Sequence, residues 1–338
     1  MKTILITGGC GFIASNFIKF LLKTCDYKII NVDRMDYCSS SKNISTNFNT
    51  DTGRLSHTDL SNYTFYRSNI NNKEFITHIL NFHGIDIVYH FAAQSHVDNS
   101  FNDSMEFIND NIVGTCNLLE SCKQYGKLEK FIHVSTDEVY GQITDSTPVL
   151  FEGYYNPTNP YASSKACAEI MAKSYQKSYG LPLIITRSNN VYGSNQYWEK
   201  IIPKFIKMIY NGKQCPVYGS GGALRKYLHV SDACNGFYKV LTEGVIGGVY
   251  EMDSPDEFST LEILTQLIKI MKPDEDPNVW INRVPDRLFH DCRYLVNPTS
   301  MIQLGWRPEV DFNKGLLDTI KWYVNYAIPF EHWQTRLD

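Results

Sequence analysis

The feature that most constrains the fold is a glycine-rich loop near the N-terminus, placed between an apolar strand and a helix. The stretch Thr7-Gly-Gly-Cys-Gly-Phe-Ile-Ala14 follows a strand predicted at residues 3–6. Gly8 permits a tight turn. Gly11, which lacks Cβ, lets the backbone approach a pyrophosphate at the N-terminus of the next helix, where N–H groups and the helix dipole favour an anion. Ala14 is an accepted small substitute for the usual third glycine. This pattern predicts the first βαβ unit of a doubly wound parallel sheet.

An acidic residue after the second predicted strand points to the same kind of site. Asp33 lies 22 residues beyond Gly11, close to the spacing expected for a carboxylate that holds the adenine ribose hydroxyls. We therefore predict a bound nicotinamide dinucleotide. Asp33 would repel a 2′-phosphate, which favours NAD over NADP, although the neighbouring cation Arg34 leaves NADP open.

Apolar strands alternate with amphipathic helices through the first half of the chain, as in an α/β protein of the Rossmann type. Strands are predicted at residues 3–6, 28–32, 64–66, 85–91, 131–135 and 182–186. Helices are predicted from Phe12 to Lys23, at 104–125 and at 161–179, the last entered through Pro160 and ended at Gly180. Residues 39–61, rich in Ser, Asn, Thr and Asp, are predicted to form a surface loop over the cofactor end.

After about residue 190 the alternation weakens, and Pro and Gly become more frequent. We expect residues 1–188 to form the dinucleotide-binding domain and residues 189–338 to form mainly a smaller substrate domain. Some later segments are expected to return to the first domain, so the smaller domain is interleaved with the sheet.

Composition argues against several other classes of protein. The 338 residues include 32 basic and 36 acidic side chains, a net charge of −4, so no polycation for nucleic acid or a membrane surface is indicated. The nine cysteines are scattered without a C-x-x-C pair, which argues against a metal site and a disulfide framework and favours a reducing, cytoplasmic location. No apolar run approaches the ~20 residues of a membrane helix, and the first residues, which enter a strand at once, lead us to expect no secretion signal.

Two motifs carry candidate chemistry. Tyr161-Ala-Ser-Ser-Lys165 places a phenol and an ammonium one helical turn apart. A cation beside the phenol should lower its pKa and make Tyr161 a usable base. Thr136, Asp137 and Glu138 leave the fifth predicted strand at its carboxyl end, where open α/β sheets bind ligands. Adjacent carboxylates resist double ionisation, so one can hold a proton while the other accepts one.

These motifs resemble those of the extended short-chain dehydrogenase/reductases and, more narrowly, of the dTDP- or UDP-glucose 4,6-dehydratases. The resemblance extends over almost the whole chain. It rests on the glycine loop and on His90-Phe-Ala-Ala-Gln-Ser-His-Val-Asp98, Ser135-Thr-Asp-Glu-Val-Tyr-Gly141, Asn159-Pro-Tyr-Ala-Ser-Ser-Lys165, Asn189-Asn-Val-Tyr-Gly193, Glu199-Lys-Ile-Ile-Pro203, Arg225-Lys-Tyr-Leu228, Asp286-Arg-Leu-Phe-His-Asp291 and Leu304-Gly-Trp306.

The resemblance implies a reaction and assigns roles in it. Tyr161, assisted by Lys165, would take the proton of the sugar 4-hydroxyl as hydride passes from C4 to NAD. Glu138 would then remove the C5 proton, Asp137 would protonate the departing 6-hydroxyl, and hydride would return to C6. Thr136 would hydrogen-bond the 4-oxygen. The product would be a 4-keto-6-deoxy sugar nucleotide that feeds the synthesis of a deoxysugar such as rhamnose.

The resemblance also implies two sets of binding residues. Those that would contact NAD are Gly8, Gly11, Phe12, Ile13, Asp33, Arg34, Asn69, Ile70, Phe91, Ala92, Ala93, Ser95, Tyr161 and Lys165. Those that would contact the nucleoside-diphosphate glucose are Ser95, Thr136, Asn190, Lys200, Arg225, Arg287 and His290.

The chain departs from the family's pattern at two positions. The family commonly has Asp where Asn69 stands, next to adenine, and Asn where Glu251 stands, near the nucleotide. A carboxylate at Glu251 would repel a diphosphate. Gln94 and Ala14 are more similar to the eukaryotic UDP-glucose enzymes, which favours UDP-glucose over dTDP-glucose.

Three further expectations complete the sequence-based hypothesis. A 4-epimerase or a decarboxylase of the same family is the main alternative, and the Asp137–Glu138 pair argues against both. A non-catalytic dinucleotide sensor would be expected to lack Tyr161 or Lys165. The resemblance also implies a homodimer through the helices at 104–125 and 161–179, whose outer faces are predicted to carry Cys116, Leu119, Ala168, Met171 and Ala172.

Overall fold

Strands and helices alternate along the chain and build a parallel sheet covered on both faces. The computed structural model describes residues 1–143, 153–286 and 291–333. The strands in these ranges are β1 Lys2–Thr7, β2 Tyr27–Asp33, β3 Thr46–Phe48, β4 Leu55–His57, β5 Tyr63–Arg67, β6 Ile87–His90, β7 Lys130–Val134, β8 Leu183–Ser188, β9 Asn190–Tyr192, β10 Cys215–Tyr218, β11 Leu224–His229, β12 Val249–Met252, β13 Glu257–Ser259 and β14 Ile281–Val284.

The helices connect these strands in the same order. The α-helices in the described ranges are α1 Phe12–Thr24, α2 Lys42–Ser45, α3 Lys73–His83, α4 Val97–Asn102, α5 Ser104–Phe107, α6 Gly114–Tyr125, α7 Pro160–Tyr179, α8 Ile201–Tyr210, α9 Val230–Glu243, α10 Thr260–Met271, α11 Thr299–Gln303 and α12 Phe312–Trp322. Two π-helical turns (Ile108–Val113 and Tyr323–Ala327) and two 3₁₀ turns (Asp137–Tyr140 and Pro277–Trp280) complete them.

The main sheet has seven strands in the described part of the chain, in the order β12-β8-β7-β6-β1-β2-β5. Every neighbouring pair is parallel. All six predicted strands are present, each displaced by at most two residues at either end. The seventh, β12, comes from the second half of the chain and pairs with β8. The predicted doubly wound sheet with an interleaved second part is thus confirmed, whereas the domain boundary at residue 188 stays a prediction.

The apolar pattern of the strands explains why the sheet is covered on both faces. Side chains alternate across it, so Ile4 and Ile6 enter one core with α1 and α9, while Leu5 enters another with α3 and α6. A separate core lies among α8, α10 and α12, which belong to the second half of the chain, here called the smaller part. Within the described ranges, no helix has both the length and the apolar character that crossing a membrane requires.

The predicted helix at 161–179 is confirmed as α7. The Asn159 side chain caps it by accepting a hydrogen bond from Ala162 N at 2.8 Å, Pro160 occupies the first turn, and Gly180 ends the helix with a φ of 70°. The predicted helix at 104–125 is also helical throughout, but a π-helical turn separates α5 from α6. This turn is not visible in the apolar spacing.

The predicted outer faces of these two helices are partly wrong. Leu119, Ala168 and Ala172 are fully buried within the single chain. Leu119 and Ala172 share a core with the strands, since the sheet occupies the helix face on which they lie. Cys116 and Met171 are half-buried.

The prediction of a surface loop at residues 39–61 is also partly wrong. This segment contains α2 and the antiparallel pair β3–β4, and Asn43 and Ile44 are buried. Asn43 donates to Cys10 O at 2.8 Å and contacts His332 Nε2 at 2.6 Å. These partners are distant in the sequence, so local composition gave no sign of them.

Candidate active site

A cavity of about 470 Å³ opens at the carboxyl ends of the parallel strands, the edge at which open α/β sheets bind ligands. Residues of both halves of the chain line it. The predicted site residues among them are Gly8, Gly11, Phe12, Ile13, Asp33, Arg34, Asn69, Ile70, Phe91, Ala92, Ala93, Ser95, Thr136, Glu138, Tyr161, Lys165, Asn190, Lys200 and Arg225. The predicted substrate residues Arg287 and His290 lie outside the described residues.

The glycine loop is shaped for a dinucleotide. Gly8 has a φ of 71°, and a Cβ on it would lie only 2.7 Å from Ala92 Cα, so a larger residue would be both strained and obstructed. Gly11 is the N-cap of α1, and no side chain caps the first N–H groups of that helix. These groups are therefore available to a pyrophosphate.

Acidic side chains surround the position expected for the adenine ribose. Both carboxylate oxygens of Asp33 accept backbone N–H groups, at 2.9 and 2.7 Å, which fixes the carboxylate at the end of β2. Arg34 donates to Asp36 and Asp110 at 2.5 and 2.7 Å and lies 3.3 Å from Glu106. Because three carboxylates already surround this guanidinium, the geometry favours NAD over NADP and weakens the alternative that Arg34 left open.

The Thr-Asp-Glu motif lies two residues after the end of β7: Thr136 caps the 3₁₀ turn Asp137–Tyr140, and the two acids begin it. Thr136 caps the turn by accepting a hydrogen bond from Glu138 N at 3.3 Å. Gly141 ends it with a φ of 70°, where a Cβ would lie 1.9 Å from Asn156 O. Glu138 and Thr136 line the cavity, whereas Asp137 is 3% exposed and does not.

The two carboxyl groups of this turn hold protons more tightly than ordinary carboxyl groups. Burial raises the pKa of Asp137 to about 7, and the neighbouring Glu138 charge adds to the increase. Burial also raises the pKa of Glu138, while the nearby Arg225, Asn159 and Lys200 oppose the change. The expectation that one group of the pair can hold a proton is therefore supported for Asp137.

Tyr161 and Lys165 line the same cavity one turn apart on α7, as predicted. The expected effect of Lys165 on the phenol is not found. Burial and the charge of Glu138 raise the pKa of Tyr161, and Lys165 Nζ donates to Val134 O at 2.7 Å. Burial lowers the pKa of Lys165 itself to about 8. A phenolate at Tyr161 therefore requires further positive charge in the cavity.

The described candidates for substrate binding already make contacts across the cavity. Lys200 Nζ donates to Ser95 O at 2.6 Å, which joins the smaller part to the loop after β6. Arg225 donates to Leu224 O and Asp291 O at 2.7 and 2.9 Å. These two bonds use only part of the five donors of the guanidinium, so it can still bind a phosphate.

Comparison with known proteins places these features in a family. A sequence model described as "GDP-mannose 4,6 dehydratase" matches residues 5–319. The chain belongs to this family. The match covers the glycine loop, the Thr-Asp-Glu turn and the Tyr161–Lys165 pair together, and the predicted resemblance is confirmed.

Members of this dehydratase family from plants and animals are similar along nearly the whole chain. A trifunctional UDP-glucose 4,6-dehydratase, 3,5-epimerase and reductase of Arabidopsis thaliana is 41% identical over 329 residues, which are 96% of this chain and 47% of that protein. The chain thus spans about half the length of this plant relative. The human dTDP-D-glucose 4,6-dehydratase is 40% identical over 342 residues, covering 98% of this chain and 92% of that protein.

Solved structures agree with the family assignment. The dTDP-glucose 4,6-dehydratase DesIV of Streptomyces venezuelae, solved with NAD bound, has a TM-score of 0.89 and 33% identity, and the match covers 98% of this chain and 100% of that one. A UDP-glucose 4-epimerase of Thermus thermophilus, also with NAD, has a TM-score of 0.82 and 26% identity, covering 99% and 100%. The shared fold therefore does not distinguish the two reactions.

The two departures from the family's pattern have different outcomes. Asn69 lines the cavity and accepts a hydrogen bond from Asn71 N at 2.9 Å. The expectation that Glu251 lies near the nucleotide is wrong. Glu251 is buried in β12 and does not line the cavity. It pairs with Arg187 at 2.9 Å because the two residues are register partners, so their side chains lie side by side on one face of the sheet.

Sequence reasoning assigned no role to Tyr294 and Asp291, which also line the cavity. Tyr294 Oη donates to Asp291 Oδ2 at 2.5 Å and lies 3.4 Å from Glu138 Oε2. Arg225 covers the tyrosine ring with its guanidinium carbon 4.5 Å from the ring centroid. Asp291 ends a quoted motif, but nothing local in the sequence places Tyr294 beside Glu138.

Proposed function

We propose that the protein is an NAD-dependent nucleoside-diphosphate-glucose 4,6-dehydratase. One observation supports this most directly: two adjacent carboxyl groups, both with raised pKa values, lie on a turn whose residues share a cavity with Tyr161 and Lys165. The same cavity contains the glycine loop and Asp33, which fit the phosphates and ribose of NAD.

The oxidation half-reaction uses residues of α7. When bound, NAD accepts hydride from C4 of the sugar and later returns it to C6. Tyr161 takes the proton of the 4-hydroxyl, and its position on the well-capped helix α7 fixes the phenol. Lys165, fixed by Val134 O, lies on the next turn of the helix. It does not by itself lower the pKa of Tyr161, so the phenolate requires further positive charge in the cavity.

The elimination half-reaction uses the Asp137–Tyr140 turn. The 4-ketone acidifies C5, Glu138 takes the C5 proton, and the C6–O bond breaks as the hydroxyl leaves with a proton from Asp137. With a pKa of about 7, Asp137 is partly protonated near neutral pH. The Thr136 hydroxyl, which lines the cavity, donates to Asp137 Oδ1 at 3.1 Å. In the elimination step this hydroxyl would give its own proton to the leaving group and take the Asp137 proton in its place.

The proposed substrate is UDP-glucose, with dTDP-glucose next. The plant relative acts on UDP-glucose and the human relative on dTDP-glucose according to their names. Gln94 and Ala14 favour the first. Arg225 and Lys200, with Arg287 and His290 as further candidates, supply cations for the diphosphate. The product would feed the synthesis of a deoxysugar such as rhamnose.

Separate incubation with UDP-glucose and dTDP-glucose tests the proposal. At least one of them should yield the 4-keto-6-deoxy product without consuming added NAD, and deuterium placed at C4 should appear at C6. A 4-epimerised product would instead favour the alternative that the protein is a 4-epimerase, like the similar Thermus thermophilus protein. Loss of the deuterium to solvent, or a stoichiometric need for NAD, would contradict internal hydride return.

A homodimer is proposed through the helices that carry exposed apolar side chains. Met105, Ile108 and Val113 are 59%, 38% and 42% exposed, and Ile170 on α7 is 49% exposed. Light scattering should give twice the mass of the chain, and Ile170→Asp should shift it to the monomer. A monomeric wild type at micromolar concentration would contradict this proposal. The cytoplasmic location stays a prediction.

A further inference from the structure

A buried cluster of charged side chains next to the active site has no role in the reaction as described above. Arg187 on β8 and Glu251 on β12 are register partners, and Glu169 meets them from α7. Their exposed fractions are 3%, 4% and 0%. Burying three charged groups is costly, so their retention needs hydrogen bonds, and each group has them.

Arg187 is bound from two directions. Its Nε and Nη2 donate to the two oxygens of Glu169 at 3.0 and 2.6 Å, a bidentate pair. Its Nη1 donates to Glu251 Oε1 at 2.9 Å. The second oxygen of Glu251 accepts Asn297 N at 2.7 Å. The carboxylate of Glu251 is therefore held on both oxygens.

Tyr140 connects this cluster to the elimination turn. It is the last residue of the Asp137–Tyr140 turn, and its hydroxyl donates to Glu251 and accepts from Arg187. The guanidinium carbon of Arg187 also lies 4.7 Å from the centroid of the tyrosine ring. The turn that carries Asp137 and Glu138 is thus fastened at its far end to β8 and β12.

The same cluster reaches the oxidation residues by a separate path. Glu169 lies one helical turn after Lys165 on α7, and its charge raises the pKa of Lys165 against the lowering by burial. Lys165 and Arg187 together balance Glu169 and Glu251. Without the charge of Glu251, Arg187 would keep its bidentate pair with Glu169 and would lose its second carboxylate.

We propose that Glu251 is a positioning residue for elimination, which acts through Tyr140 by holding the Asp137–Tyr140 turn in place. This inference rests on the proposed dehydratase function. Tyr161 and Lys165 keep supports that involve neither Tyr140 nor Glu251. These are the Asn159 cap of α7, whose side-chain amide also donates to Glu138 at 3.2 Å, and the Val134 carbonyl at the end of β7. Loosening the turn therefore slows the removal of the C5 proton and of the 6-hydroxyl, and leaves the oxidation at C4 intact.

Single-turnover mixing of the NAD-loaded protein with substrate separates the oxidation at C4 from the elimination. The absorbance of reduced nicotinamide rises with C4 oxidation and falls after elimination. Tyr140→Phe removes one hydroxyl and keeps the ring, and Glu251→Gln keeps the shape and removes the charge. In both variants the rise should keep the wild-type rate, while the fall should slow roughly 10- to 100-fold, as for a small misplacement of catalytic groups.

A double variant and a matched control complete the test. Both changes weaken the same contact between Tyr140 and Glu251. The absorbance fall of the double variant Tyr140→Phe with Glu251→Gln should therefore be no slower than that of the slower single variant. Glu243→Gln removes an exposed carboxylate paired with Lys239 and should leave both phases unchanged. If Glu251→Gln does not fold, Tyr140→Phe alone tests the link.

The inference is overturned if Tyr140→Phe leaves the fall unchanged, if both phases slow equally, or if the two changes are additive. Failure of the proposed function is a different result: the wild-type protein would then form no 4-keto-6-deoxy product from either UDP-glucose or dTDP-glucose.

Discussion

Replacement of Asp137 by Asn should remove the acid that protonates the departing 6-hydroxyl. Burial and Glu138 raise the pKa of Asp137 from 3.8 to about 7, a difference of about 4 kcal/mol in favour of the protonated form. At pH 7 about half of the molecules then carry this proton, whereas an unperturbed aspartate would carry it in roughly one molecule in a thousand. Asparagine has no such proton to give, so elimination should slow ~10²–10⁴-fold.

The rate of elimination should decrease as the pH rises through the pKa of Asp137. Asp137 acts in its protonated form, so the wild-type rate should be highest below its pKa of about 7 and should fall about tenfold per pH unit above it. Lys165, with a pKa of about 8, titrates in the same range. However, Lys165 acts with Tyr161, so its deprotonation should affect the oxidation at C4 instead.

The assay follows the rise and fall of reduced-nicotinamide absorbance in a single turnover on both sides of pH 7. Asp137→Asn should keep the wild-type rate of the absorbance rise and should slow the absorbance fall. The rate of this fall should no longer decrease above pH 7. Asp318→Asn, at an acid paired with Lys321 on α12, is the matched control and should behave as wild type. Elimination by Asp137→Asn at the wild-type rate, or with the same decrease in rate above pH 7 as the wild type, would exclude Asp137 as the acid.

Four further variants test other parts of the site. Glu138→Gln should accumulate reduced nicotinamide because the C5 proton stays in place, whereas Tyr161→Phe should show almost none; product at the wild-type rate from Glu138→Gln would exclude it as the base. Gly8→Ala should lose bound NAD, because φ is 71° and the new Cβ would lie 2.7 Å from Ala92. The NAD content of the purified protein measures this, and a normal content would contradict the role of the glycine loop in binding NAD. Tyr294→Phe should shift the pH dependence of elimination, since its hydroxyl lies 3.4 Å from Glu138; an unchanged profile would make it a packing residue.

Much of the fold could be predicted because its signals are local. The six predicted strands are short apolar runs separated by helical patterns, and all six are present. The start and end of α7 were readable because Asn159, Pro160 and Gly180 act on the backbone next to them. Predictions that required knowledge of distant partners failed: residues 39–61 are partly ordered by Cys10 and His332, and the outer face of α7 was misjudged because the sheet covers Ala172.

The sequence by itself determined the type of sheet, the dinucleotide loop and which residue types meet at its carboxyl edge. These follow from the order of strands, glycines and acids along the chain. Only the tertiary structure decided their electrostatics. The pKa of Asp137 depends on burial, Tyr161 is not made acidic by Lys165, and Glu251 faces Arg187, which is 64 positions away, instead of a diphosphate. Burial and long-range pairing depend on how the whole chain packs, and spacing along the sequence carries little information about them.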